Sequence, residues 1–164
     1  FAEQVIALEK GGADVIVIET MTAIEEAVLA VKSTKENTKL PVVVTMTFDK
    51  GPRGLFTMMG ITPKNAVITL ENEGADVVGS NCGNGIDVML EVAREVREVA
   101  SGYTLIHSNA GIPVIRKGQV VYPEDPDYMA SRFYRMVEMG INIVGGCCGT
   151  TPGHIKSICR EVKS

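Results

Sequence analysis

Apolar and polar positions along this chain alternate between two regimes from one end to the other. Five short runs are nearly continuous in β-branched and other apolar residues: "DVIVIET" (14–20), "PVVVTMTF" (41–48), "DVVGSN" (76–81), "TLIHSN" (104–109) and "INIVGG" (141–146). Runs of that length and composition read as strands buried on both faces, the condition of a parallel sheet. Between them, apolar residues recur every three or four positions over 22–36, 62–73, 85–100, 125–139 and 152–163, which predicts amphipathic helices. The opening "FAEQVIALEKGG" is a further amphipathic helix that stops at glycine. Thr62-Pro63 and Thr151-Pro152 each set a capping hydroxyl ahead of a first-turn proline. Gly11, Gly74 and Gly140 fall where helices stop and strands are about to start.

"EKGGADVIVI", "ENEGADVVGS" and "VEMGINIVGG" repeat one plan of helix end, glycine and strand. Repeated βα units predict a parallel sheet covered by helices, either doubly wound or closed as a (β/α)8 barrel. The placing of polar residues decides between them. Each strand is apolar at its start and polar or reactive at its end: Glu19 and Thr20, Thr45 and Thr47, Asn81 and Cys82, His107 and Asn109, Cys147 and Cys148. A barrel collects its site from the carboxyl ends of all its strands. A doubly wound sheet usually carries a glycine-rich phosphate turn after its first strand, where this chain has "IETMTAIEE". The expected fold is therefore α/β, the C-terminal part of a (β/α)8 TIM barrel. A barrel needs eight strands and five are legible. Residues 1–164 are thus expected to supply about five βα units, strands four to eight preceded by the third helix, with the N-terminal strands outside this chain.

Composition and charge narrow the function classes. A hydrophobic content of 45% supports a real core, and the formal charge of −4 is mild and mixed along the chain. No basic run or basic–aromatic stripe points to nucleic acid, and no polybasic segment points to an anionic membrane. The apolar runs are too short to span a bilayer. No secretory signal opens the chain, so a cytoplasmic setting is expected.

The cysteines change the picture most. Four are present, Cys82 in "GSNCGNG", Cys147 and Cys148 in "GGCCGTTPGHI", and Cys159. Disulfide frameworks belong to short secreted chains, and adjacent cysteines rarely bridge each other. In a closed barrel, the strand ends carrying Cys82 and the Cys147–Cys148 pair lie close on one rim. Three thiolates converging there would suit a tetrahedral zinc with one open position. Gly145, Gly146 and Gly149 supply the backbone freedom for the bend. The residues alone leave open the alternative of three buried core cysteines. Cys159 shares a helical apolar stripe with Ile155 and Ile158 and reads as structural. His154, at the start of that helix, reads as a cap or surface residue rather than a fourth ligand. His107 ends a strand, faces the rim and reads as a contact for substrate.

Taken together, "ADVVGSNCG", "HSNAG" and "GGCCGTTPGHI" resemble the zinc-dependent homocysteine S-methyltransferases, which include the homocysteine-binding barrel of cobalamin-dependent methionine synthase and betaine–homocysteine methyltransferase. The match runs in order through the whole chain, from "VIVIET" to "GGCCGTTP". The resemblance implies that Cys82, Cys147 and Cys148 hold zinc and serve the catalysis of methyl transfer to homocysteine, giving methionine. It implies that Glu19 receives the homocysteine amino group and that Asn109 lies beside the substrate. It further implies a methyl donor, methylcobalamin recharged from methyltetrahydrofolate, carried on other modules. Betaine or S-methylmethionine as donor, and a non-catalytic zinc-binding barrel fragment, are the alternatives.

Overall fold

A computed structural model describes residues 1–163. In chain order the elements are α1 (Ala2–Lys10), β1 (Ile16–Met21), α2 (Ile24–Asn37), β2 (Val42–Met46), β3 (Asp49–Gly51), β4 (Gly54–Phe56), α3 (Pro63–Asn72), β5 (Val77–Cys82), α4 (Ile86–Val99), β6 (Tyr103–Ser108), β7 (Val114–Arg116), β8 (Gln119–Val121), α5 (Pro126–Glu138), β9 (Ile143–Gly146) and α6 (Pro152–Val162). The main sheet has the order β1-β2-β5-β6-β9, and every neighbouring pair is parallel. A helix separates each strand from the next, so the five expected βα units are all present, with β1 and β9 at the two edges.

The register fixes which residues meet the helices. On β2, Val42, Val44 and Met46 point to the helix side and are fully buried, as are Val78 on β5 and Ile106 on β6. They pack with Val31 of α2, Leu70 of α3, Met89 of α4, and Phe133 and Met136 of α5. Each such side chain contributes roughly 1.5–3 kcal/mol by leaving water. The opposite face is covered in the middle strands but bare at the edges: Val17 on β1 is 51% exposed and Ile143 on β9 40%.

The caps form as the sequence requires. Thr62 Oγ1 accepts the Asn65 N–H at the start of α3, and Thr151 forms a reciprocal capping box with His154 at the start of α6. Two short hairpins were not expected, β3–β4 after β2 and β7–β8 after β6. The second turns through Lys117 and Gly118, both at positive φ (50° and 78°), the geometry that suits a two-residue hairpin loop.

One expectation is corrected. Cys159 and Ile155 are both exposed, and of that stripe only Ile158 enters the core. The buried side of α6 is instead formed by His154, Ser157 and Ile158. Ser157 Oγ donates to Asp127 of α5 across that contact. No helix among the described residues is long and apolar enough to cross a membrane.

Candidate metal centre

The carboxyl ends of β5, β6 and β9 lie side by side, and two sharp turns there bring the cysteines together. Cys82 closes β5 in the left-handed region (φ 69°), followed by Gly83 in the same region (φ 74°). A non-glycine residue there is uncommon and costs energy that the surroundings must offset. Cys147 follows β9, where its N–H donates to Ser108 O of β6 at 2.7 Å. Its own carbonyl accepts from Thr150 Oγ1 at 2.7 Å, which closes the turn. Gly149 then takes φ 80°, with the Tyr122 ring lying where a Cβ would stand.

The outcome is a triangle of sulfurs. The Sγ atoms of Cys82, Cys147 and Cys148 all lie within 4.8 Å of one another, and those of Cys82 and Cys148 are 3.9 Å apart. With zinc–sulfur bonds of about 2.3 Å, two ligands of a tetrahedron stand about 3.8 Å apart, so the spacing suits such an ion. All four cysteines are free. Cys82 and Cys147 are half-buried, and Cys148 is exposed. Burial, reinforced by the neighbouring sulfurs, pushes the Cys82 thiol up to about 11, with a contact from Asn109 acting the other way. Three thiols so close do not ionise together unaided, whereas a soft divalent cation offsets their charge. The donor set therefore fits zinc.

Asn109 stitches the two cysteine turns to each other. Its Nδ2 donates to Gly83 O at 2.9 Å, and its Oδ1 accepts the Cys148 N–H at 3.0 Å. Its neighbour Ala110 donates its N–H to Cys148 O at 2.9 Å. His107 sits on β6 between Asn81 of β5 and Gly145 of β9 in the ladder. Gly145 is bare because a Cβ there would meet the imidazole at about 3 Å. Burial holds the His107 imidazole below the usual histidine range, and the negative charge of Glu19 acts the other way. Glu19 itself is exposed at the end of β1, directly before Thr20, another non-glycine residue at positive φ (62°).

His154 takes no part in the sulfur cluster. Its Nδ1 faces the Thr151 N–H and hydroxyl, and its Nε2 lies 3.0 Å from Glu124 O. Both ring nitrogens are engaged in capping α6 and fastening the 122–125 segment.

Asn81 was overlooked as a site residue, although it stands immediately before Cys82. Its Oδ1 accepts from Thr20 N at 2.8 Å and Thr45 Oγ1 at 2.7 Å. Its Nδ2 donates to Thr20 Oγ1 at 2.8 Å and to Cys147 Sγ at 3.8 Å. The signal in the sequence is an amide two positions past Gly79 in an otherwise buried strand.

The model of the homocysteine S-methyltransferase family matches residues 1–162. Methionine synthases of Mycobacterium leprae and Mycobacterium tuberculosis are each 32% identical over 99% of the chain. The chain spans 14% of the length of either relative. Among solved structures, the homocysteine methyltransferase MmuM of Escherichia coli in its metallated form superposes with a TM-score of 0.74 at 17% identity, covering 100% of this chain and 52% of that one. That likeness shows the fold, βα units of a (β/α)8 barrel. A match to the family's sequence pattern over nearly every residue goes further: the chain belongs to the homocysteine S-methyltransferase family.

Proposed function

We propose that this chain is the C-terminal portion of a homocysteine-binding barrel, and that its three-sulfur cluster holds a catalytic zinc. The carrying observation is the convergence of exactly three cysteine sulfurs, with Cys148 on the open side of the cluster. Three protein ligands leave a fourth position for a substrate thiol. Zinc bound there would keep that thiol in its thiolate form near neutral pH.

The chain's own residues do the rest. Cys82, Cys147 and Cys148 fix the place of the substrate sulfur, and their negative charges keep it electron-rich. Glu19, on the open end of β1, pairs with the ammonium group of homocysteine, so that its sulfur arrives oriented. Asn109 holds both cysteine turns at the edge of the substrate, and His107 lines the floor between them. The homocysteine sulfur then attacks a methyl group in line; the new sulfur–carbon bond gives methionine as the bond to the donor breaks. Similarity to methionine synthases over nearly the whole chain favours methylcobalamin and methyltetrahydrofolate as donors, carried by further modules. The bare edges at β1 and β9 receive the N-terminal strands of the barrel. Four free cysteines accord with a reducing, cytoplasmic setting.

Elemental analysis and calorimetric titration of the complete barrel test this reading. Cys82→Ala, Cys147→Ala or Cys148→Ala is expected to lose zinc, and Cys159→Ala to keep it. Glu19→Gln should retain zinc yet bind homocysteine about ten- to a hundredfold more weakly, as loss of a charge-assisted hydrogen bond implies. Undiminished zinc in Cys147→Ala would overturn the three-thiolate site. Unchanged homocysteine affinity in Glu19→Gln would remove Glu19 from it.

A further inference from the structure

Asn81 is 1% exposed, and its amide makes four hydrogen bonds, the full capacity of the group. Three of them reach Thr20 and Thr45, on strands that carry none of the sulfurs; the fourth reaches Cys147 Sγ. Thr20 is a β-branched residue in the left-handed region, a conformation such residues rarely adopt. Both its backbone N–H and its hydroxyl are taken by the Asn81 amide, which is what holds it there. The residue before Thr20 is Glu19. One buried amide therefore spans from the strand end that carries the carboxylate to a sulfur of the cluster. An ordinary core position would need no such group, because an apolar side chain fills space without four partners to satisfy.

We propose that Asn81 is a positioning residue of the metal centre: it registers the Glu19 strand end against the sulfur cluster and lends Cys147 an N–H that draws off part of its thiolate charge. The proposal rests on the reading of Cys82, Cys147 and Cys148 as metal ligands. An N–H donor to a sulfur ligand makes that sulfur a weaker electron donor and fixes its direction, as outer hydrogen bonds do around metal sites generally. The contact spans 3.8 Å, and charge on the sulfur would strengthen it. The same amide explains why Thr20 keeps its unusual backbone: releasing it would swing the peptide that follows Glu19.

The test uses the complete barrel with Asn81→Leu combined with Thr20→Gly, which fills the space of the amide without a donor or a new charge and leaves residue 20 its left-handed backbone. Loss of the bond that orients Cys147 outweighs the stronger donor that an unbonded thiolate becomes, so zinc affinity, by competition with a chelator, is expected to fall about ten- to a hundredfold. In the cobalt(II)-substituted protein, the sulfur-to-metal charge-transfer band should move to lower energy, a shift that a purely structural asparagine would not produce. Should that pair fail to fold, Asn81→Ala with Thr20→Gly serves, and the same two changes are expected. Parent-like zinc affinity and band position in whichever variant folds would overturn the role of Asn81 alone. A parent protein that shows no sulfur-to-cobalt band would overturn the thiolate site beneath it, and the proposal with it.

Discussion

Gly149 shows how little latitude the cysteine turn has. Its φ of 80° disfavours any side chain, and a Cβ would lie 2.1 Å from the Tyr122 ring. Gly149→Ala should therefore carry two separable penalties, about 1–3 kcal/mol for the overlap and about 1 kcal/mol for the backbone. Adding Tyr122→Ala should remove the first and leave the second, as urea denaturation of the four proteins of that cycle would measure. If the two substitutions are simply additive, the ring does not set the turn. The three sulfurs were legible from the sequence because cysteines flanked by glycines at strand ends carry their own signal. The bonds that Asn81 and Asn109 make were not. Their partners lie 26 to 66 positions away, and only the strand order brings Thr20, Cys147 and Cys148 to them.

At the level of elements, the end of the sheet remote from the cysteines is fastened by carboxylates. Glu71, at the end of α3, accepts from Ser101 N–H, Ser101 Oγ and Gly102 N–H ahead of β6. Burial pushes its carboxyl up, but the hydrogen bonds from Gly102 and Ser101 outweigh that and hold it below the usual carboxylate range. Asp76 behaves alike: burial raises it, while Lys35 and the Val42 N–H bring it down further. A folded-state value below the unfolded one means that the stabilisation is complete above the unfolded value, about 4. It fades as pH falls through the depressed folded value, because the unfolded chain then takes up the proton first. The urea midpoint should accordingly fall between pH 5 and pH 3, and Glu71→Gln should flatten that slope while lowering the midpoint at pH 7. An equal slope in parent and variant would discount the anchor. All five strands and the helices between them were legible because the strands are continuous apolar runs and the helices keep a clear period, several of them marked by a glycine end or a Thr-Pro start. The hairpins escaped because three-residue strands are shorter than any period can register. The Gly51-Pro52 and Lys117-Gly118 turns offered the only cues. Ile155 and Cys159 misled for another reason: an apolar stripe names a face, and does not say whether anything covers it.

For the molecule as a whole, the two uncovered strands govern behaviour in solution. β1 and β9 each present unpaired backbone along one side, and Val17 and Ile143 add apolar surface beside it. Residues 1–164 prepared alone are expected to self-associate, because open parallel edges invite pairing. Val17→Lys should shift sedimentation profiles toward the monomer by placing a charge beside the open edge. A monodisperse monomer at tens of micromolar, before any substitution, would show the edges to be protected. The sulfur triangle draws on this architecture as well, since Cys82 and Cys148 stand 66 positions apart with the whole of β6 lodged between their strands. During synthesis, then, the chain leaves the ribosome with Cys82 long before Cys147 and Cys148. The centre comes into being only when β9 docks on β6 and Asn109 draws in the Cys148 turn. On the proposed metal site, loading therefore waits for β9, and a nascent chain stalled before residue 147 should hold no metal there, however much zinc surrounds it.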